Sequence, residues 1–331
     1  MNYLVTGGCG FIGVNLIRRL QQVDQACGIR VVDNLTVGMR EDLTAVAEFT
    51  EIGEKNLNEG PFNGVQLMVA DIQDQRLAAK GCKGIDVIVH LAANTGVIPS
   101  IKEPRYDCMV NVIGTLNYLE AARTNGAKCF VFASSGAPLG EQVPPIHEEM
   151  VPRPISPYGA SKLSGEAYCS AFYRSFGLET VILRFGNVYG PHSKRKGSVV
   201  AKFIKHIMAE EPLPIYGDGN QTRDFIYVDD LVEAIVLAME KPNISGEIFQ
   251  IATFREHTVG EVAEELNSLA RKYLGRSSPI VYRDKRKGEV RRNFSDIRKA
   301  QKMLGFVPKY DLKRGLEKTF LWFLSLINPT F

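Results

Sequence analysis

Through the first 185 residues, short apolar runs alternate with helix-length amphipathic stretches. The runs are Tyr3–Thr6, Ile29–Asp33, Val65–Ala70, Asp86–Ala92, Lys128–Ser134 and Thr180–Arg184. They are rich in Val, Ile and Phe, the mark of strands buried on both faces. Between them the pattern predicts helices near 11–22, 107–125 and 157–176. Strand and helix in this alternation predict an α/β fold with a doubly wound parallel sheet. After residue 186 turns appear at Gly190-Pro191, Pro212–Pro214 and Gly217-Asp218-Gly219, with helices near 198–210, 229–240, 258–272 and 312–327. The expected division is a sheet domain over 1–185, with segments near 225–253 returning to it, and a smaller α/β lobe over 186–331. The apolar run Ile248–Ala252 is the candidate for a returning strand. Residues 38–62 are polar and weakly periodic and read as a surface excursion with no function assigned. No repeat or low-complexity segment is visible.

Composition narrows this little. The chain has 331 residues, 45% hydrophobic and 23% charged, and its net charge of +3 is too small to imply nucleic acid as a partner. Its six cysteines include no Cys-x-x-Cys and show neither metal nor disulfide spacing, so reduced thiols packed as small hydrophobes are expected, and no metal. No leader-like segment precedes the first strand, and no apolar run reaches the ~18 residues that span a bilayer. A cytoplasmic protein without a membrane partner is the expectation.

The first chemistry lies in Gly7-Gly8-Cys9-Gly10-Phe11-Ile12-Gly13, between the first strand and the first helix. Gly7 permits a tight turn, Gly10 lets the backbone approach a pyrophosphate, and Gly13 lets helix and strand pack closely. The helix start offers N–H groups and partial positive charge to phosphates. Asp33, twenty residues beyond Gly13, ends the second strand, where a carboxylate accepts both hydroxyls of an adenosine ribose and repels a 2′-phosphate. NAD is therefore expected over NADP: Arg40 could in principle receive a 2′-phosphate, but no Arg directly follows Asp33. Asp71 and Ile72 end the third strand. There they suit an adenine amino group and ring, and equally a cap for the next helix.

The second chemistry is Tyr158-Gly159-Ala160-Ser161-Lys162. Tyr and Lys four apart share one helix face. A phenol with a pKa near ~10 becomes an effective base when an ammonium and oxidised nicotinamide favour its anion. Phe132-Ala133-Ser134-Ser135 ends a buried strand at the sheet edge where such folds bind ligands, and a hydroxyl there can hydrogen-bond a reacting oxygen.

With these motifs the chain resembles the extended short-chain dehydrogenase/reductase family, and most nearly its UDP-glucose/UDP-N-acetylglucosamine 4-epimerases. His90–Ala93, Asn111–Thr115, Arg184–Pro191, Ile215–Gly219 and Arg223–Asp230 match as well, so the likeness runs from Gly7 to about Gly305. The resemblance implies Tyr158 as base, Lys162 as its electrostatic partner and Ser135 as the second hydroxyl. It implies an NAD site of Gly7, Gly10, Phe11, Ile12, Gly13, Asp33, Asn34, Asp71, Ile72, Leu91, Ala92, Ala93 and Asn111, reached also by Tyr158 and Lys162. Asn187, Arg223 and Arg286 would hold a UDP pyrophosphate, and Tyr216 would pack on the uracil. Arginine suits a diphosphate by its fork geometry, although a single Arg in a polar loop reads by itself as a solvated charge. Lys194-Arg195-Lys196 reads as a solvated loop, with a place near the substrate mouth open to it.

Relatives that dehydrate or decarboxylate carry acidic residues just after the catalytic strand. Here those places are Gly136 and Ala137. Inversion at C4 through a 4-keto sugar is therefore expected, with a decarboxylase, dehydratase or keto-reductase as the alternative. The family's usual Val-Tyr-Gly is Pro138-Leu139-Gly140, which stiffens the loop and puts the sugar in question more than the chemistry. By resemblance Asn293 bears on room for an N-acetyl group. It equally suits a place in the turn before the following helix. Relatives often pair as homodimers through the helices near 107–125 and 157–176.

Overall fold

The computed structural model describes residues 1–57, 60, 62–285 and 290–328. The first half supplies β1 (Asn2–Thr6), β2 (Gly28–Asp33), β3 (Phe49–Glu51), β4 (Gly64–Val69), β5 (Val87–His90), β6 (Cys129–Ser135) and β7 (Glu179–Phe185). Its helices are α1 (Phe11–Val23), α2 (Arg40–Thr44), α3 (Gln75–Gly81), α4 (Val97–Lys102), α5 (Pro104–Cys108), α6 (Gly114–Thr124) and α7 (Pro157–Phe176). The second half begins with β8 (Asn187–Tyr189), α8 (Val199–Met208), β9 (Leu213–Tyr216), β10 (Thr222–Arg223), β11 (Phe225–Tyr227), α9 (Val228–Glu240) and β12 (Ile248–Ile251). It ends with β13 (His257–Thr258), α10 (Val259–Leu274), β14 (Ile280–Arg283), α11 (Arg298–Leu304) and α12 (Leu312–Ser325).

Eight parallel strands make one sheet, in the order β12-β7-β6-β5-β1-β2-β4-β3. β1 and β2 are buried at every position, because helices cover both faces. Neighbouring residues divide between two cores, as the pleat requires. Val5 and Val31 pack with Leu16, Ile17, Leu231 and Ile235 of α1 and α9. Leu4 and Val32 pack on the other face with Phe130, Phe132, Leu119 and Phe172. Each such side chain contributes on the order of 1.5–3 kcal/mol. Ile248–Ile251 does return to the sheet, beside β7. A third core holds the second half together, with Phe203 and Ile204 of α8, Leu266 of α10 and Phe320 of α12 at its centre.

Two regions differ from expectation. The excursion 38–62 contains α2 and the edge strand β3, paired in parallel with β4. The helix expected over 107–125 is continuous but not uniform. Between α5 and α6, Met109–Ile113 form a π-helical turn, a device found at functional sites. At α7 the local chemistry is regular. Ser156 accepts from Gly159 N at 3.1 Å, Pro157 occupies the first turn, and Gly177 closes the helix at φ +73°. Among the described residues no helix is long and apolar enough to cross a membrane, and no cluster of His, Cys, Asp or Glu is able to hold a metal ion.

Candidate active site

The strand order reverses at β1, with β2 on one side and β5 on the other. A ligand crevice belongs outside the carboxyl ends of such a pair. Gly7 leaves β1 at φ +68°, and a Cβ there would lie 2.9 Å from the N and Cα of Ala92, which follows β5. A Cβ on Gly13 would lie 2.5 Å from Gly8 Cα and 2.6 Å from the Gly7 carbonyl. Gly10 is the N-cap of α1 and offers no side-chain cap to its first turn. This cradle, uncapped and too tight for side chains, fits a dinucleotide pyrophosphate.

Asp33 closes the crevice on the β2 side. Its carboxylate accepts from Cys9 N at 3.0 Å and Leu35 N at 2.9 Å, and each oxygen keeps a second lone pair for a ribose hydroxyl. Burial pushes the Asp33 carboxyl up, against the pull of those two N–H groups. Arg40 is committed to Glu51 at 2.7 and 2.9 Å. Asn34 donates to Asp71 at 2.9 Å. Asp71 also accepts from Gln73 N, while the cap of α3 is Asp74, which accepts from Leu77 N. The Ile72 side chain is committed to the core, where it fills the space above Gly114.

Asn111 lies in the π turn, buried among internal partners. Its amide exchanges bonds with the Asn94 backbone, at 2.8 and 3.0 Å, and donates to Asp107 and Ser161, both at 3.1 Å. In the structure it therefore fixes the chain just after Leu91–Ala93. His90 ties the same parts together. Thr115 spends its hydroxyl proton on the Asn111 carbonyl at 2.6 Å, so His90 Nε2 donates to Thr115 at 3.2 Å, and Thr6 donates to His90 Nδ1 at 3.0 Å. Burial holds the imidazole down to about 3, so it stays neutral in this chain of bonds.

Beside this crevice stand the ends of β6 and α7. Tyr158 stands close enough to Ser135 for that hydroxyl to act on the phenol, and the Ser135 oxygen accepts from Ala137 N at 2.9 Å. Burial raises the Tyr158 phenol above its ordinary value. The Ser135 hydroxyl lowers it, and the buried Asp107 adds to the rise. Lys162 Nζ donates to the Ala133 carbonyl at 2.9 Å, beneath the strand end that bears Ser135. Burial lowers this ammonium to about 8, against the fields of Asp107, Cys169 and Glu166.

Two features escaped the sequence reading. Asp107 is fully buried and accepts from Ser161 at 2.7 Å as well as from Asn111, so it braces α5 against α7. Its position four residues before Asn111 was the available signal. Glu166, one turn beyond Lys162, pairs with Arg184 of β7 at 2.6 and 2.8 Å and accepts from Ser134 at 2.5 Å, all buried.

The substrate-side candidates come from the second half. Asn187 is exposed, with its N–H on the Asp224 carbonyl at 2.8 Å. Arg223 Nη1 donates to the carbonyls of Thr222 at 2.6 Å and Val290 at 2.9 Å. Tyr216 lines a small cleft with Gln221, Lys285 and Arg291, and the Lys202 ammonium lies 5.6 Å from its ring centre. Arg286 lies outside the described residues. Asn293 presents its amide nitrogen 4.0 Å from where a Gly136 Cβ would stand, so it faces the loop after β6.

Lys194-Arg195-Lys196 is more than a solvated loop. Lys194 and Arg195 both pair with Asp42 at 2.8 Å, and Asp42 also accepts from Met39 N at 3.1 Å. Burial raises the Asp42 carboxyl, but these three bonds outweigh it and leave the group below its usual value. A nearly buried carboxylate requires such partners, which is why the loop is drawn onto the first half.

Fold and site define a dinucleotide-binding protein of the extended short-chain dehydrogenase/reductase kind. The model of the NAD dependent epimerase/dehydratase family matches residues 3–252, and the chain belongs to that family. It is 37% identical to a putative UDP-glucose 4-epimerase of Methanocaldococcus jannaschii, over 96% of this chain and 97% of that one. The crystal structure of a Thermotoga maritima UDP-glucose 4-epimerase with UDP-glucose superposes with TM-score 0.86 at 37% identity, covering 99% and 100% of the two chains. A UDP-glucuronic acid 4-epimerase from Bacillus cereus, in complex with UDP-glucuronic acid and NAD, superposes with TM-score 0.85 at 31% identity, covering 98% and 100%. The dinucleotide that the glycine cradle and Asp33 call for is NAD.

Proposed function

We propose that this chain is an epimerase that inverts C4 of a UDP-sugar, either UDP-glucose/UDP-galactose or the N-acetyl forms, through a transient 4-keto sugar. The observation that carries the reading is the placing of Tyr158 beside Ser135 at the switch-point crevice, with Lys162 beneath the same strand end. NAD would be held by Gly7–Gly13, Asp33, Asn34, Asp71 and Leu91–Ala93, with Ile72 and Asn111 shaping the crevice from behind, and would supply the hydride acceptor.

The chain's own residues do the proton chemistry. Tyr158 takes the proton from the sugar O4 and gives it back after inversion, while Ser135 holds that oxygen. Burial alone favours the neutral phenol. Bringing a group from ~10 to ~7 requires about 4 kcal/mol of added stabilisation of its anion. The positive charge of oxidised nicotinamide and the Lys162 ammonium are the sources of that stabilisation. Asn187, Arg223 and Arg286 bind the diphosphate, and Tyr216 packs on the uracil. Gly136 and Ala137 bring no acid to the loop, so water or carbon dioxide has no assistance in leaving. The division into a cofactor domain, 1–185 with returning segments, and a nucleotide-sugar lobe, 186–331, follows from the same assignment. Tyr106, Met109, Tyr168 and Phe176 are exposed on α5, the π turn and α7, a face that suits a homodimer.

Incubation with a panel of UDP-sugars, followed by separation of C4 epimers, tests the reading. A product of unchanged mass supports it, whereas loss of water or carbon dioxide assigns the alternative chemistry. Tyr158→Phe should lower turnover about 10³-fold with NAD still bound. Undiminished activity in that variant removes the proposed base.

A further inference from the structure

The strap between β8 and α8 carries three cations in a row, and Asp42 takes only the first two. The strap is anchored along its length. The Pro191 carbonyl accepts from Asn15 of α1 at 3.1 Å, and the His192 ring lies 5.0 Å from that of Trp322. The Lys196 carbonyl accepts from Lys205 Nζ at 2.9 Å. So fixed, the strap sets the Lys196 side chain over Phe11, with its ammonium 6.0 Å from the centre of that ring. Phe11 is the first residue of α1.

We propose that Lys196 is a diphosphate-binding residue, held by the Asp42-latched strap at the start of α1, where it pairs with the diphosphate of bound NAD. This rests on reading Gly7–Gly13 as the cofactor loop. Among the described residues Lys196 has no carboxylate partner, and burial lowers its pKa below the ordinary lysine value. A half-buried cation with no carboxylate partner is open to an anion from outside the chain. The start of α1 adds partial positive charge at the same place. Asp42 touches no ligand in this account and is a positioning residue. Two diphosphates enter such an enzyme, those of the dinucleotide and of the nucleotide sugar. The contact with Phe11 favours the first.

Calorimetric titration of the full-length protein separates the two. Lys196→Met should weaken NAD binding about tenfold and flatten its dependence on salt, while adenosine, which has no phosphate, binds as before. Lys196→Arg should stay within about threefold of the parent, since it keeps the charge. Asp42→Ala should weaken NAD in the same direction by loosening the strap. UDP titrated into the NAD-loaded Lys196→Met protein should bind unchanged. Loss of UDP affinity with NAD affinity intact assigns the ammonium to the nucleotide sugar and overturns the cofactor pairing. Unchanged affinity for both ligands removes Lys196 from the site altogether. Failure of the parent protein to bind NAD would instead strike the reading of the glycine loop.

Discussion

The floor of the cofactor crevice and the corner beside it, where β6 meets α7, are built in opposite ways. The floor is shape. Gly7 and Gly13 sit where any Cβ would press on backbone, and Asp33 is the ionisable side chain that holds it. The corner is buried charge. Lys162, Asp107, Glu166 and Arg184 are all nearly inaccessible and crowd around the ends of β6 and α7. A floor made of backbone tolerates no added atoms. A corner made of charge tolerates no missing partner. Within the corner itself, Arg184 has its carboxylate at 2.6 Å, whereas Lys162 rests on a neutral carbonyl. The first arrangement serves the fold. The second leaves a cation available to chemistry.

Removing one side of the paired charge should have the largest effect. Arg184→Leu strands Glu166 in the core and should cost about 3–5 kcal/mol in denaturant unfolding. A loss under about 1 kcal/mol would show that the pair is dispensable and the contrast false. Gly13→Ala should come next, at about 2 kcal/mol, because backbone atoms of the glycine loop must move, and NAD affinity should fall with it. An alanine variant that binds NAD like the parent would mean that the floor is looser than drawn.

Lys162→Met should act in the opposite direction on stability. The ammonium falls from an ordinary 10.5 to about 8 on folding, so the unfolded chain holds the proton more firmly. That ionisation costs the fold about 3 kcal/mol below pH 8, a cost that fades as pH rises toward 10.5. After loss of the bond to Ala133, the variant should be about 1–2 kcal/mol more stable than the parent at pH 7, with the gain gone by about pH 10.5. Its turnover should nevertheless collapse. A variant less stable at pH 7 would place Lys162 with Arg184, as a structural charge.

Sequence and structure agree best where the determinant is local. The glycine spacing, the all-buried strands and Asp33 at a strand end are properties of adjacent residues, and each is where the pattern put it. Tyr158 and Lys162 were legible because one helical turn relates them. What stayed hidden depends on residues that only the fold brings together. Asp42 meets Lys194 and Arg195 across 152 and 153 positions of sequence, so a basic run looked solvated. Glu166 and Arg184 belong to different elements, and neither shows its partner in the sequence. The π turn at Met109–Ile113 is invisible to a 3.6-residue period, yet it sets where Asn111 points.

The central claim is that one hydride leaves C4 and returns to the same carbon on its other face while Tyr158 handles the proton. A UDP-sugar substrate carrying deuterium at C4 tests this directly. The account predicts a C4 epimer that retains the deuterium on C4 through many turnovers in ordinary water. Exchange of that deuterium with solvent, or its recovery in a product of altered mass, would contradict it.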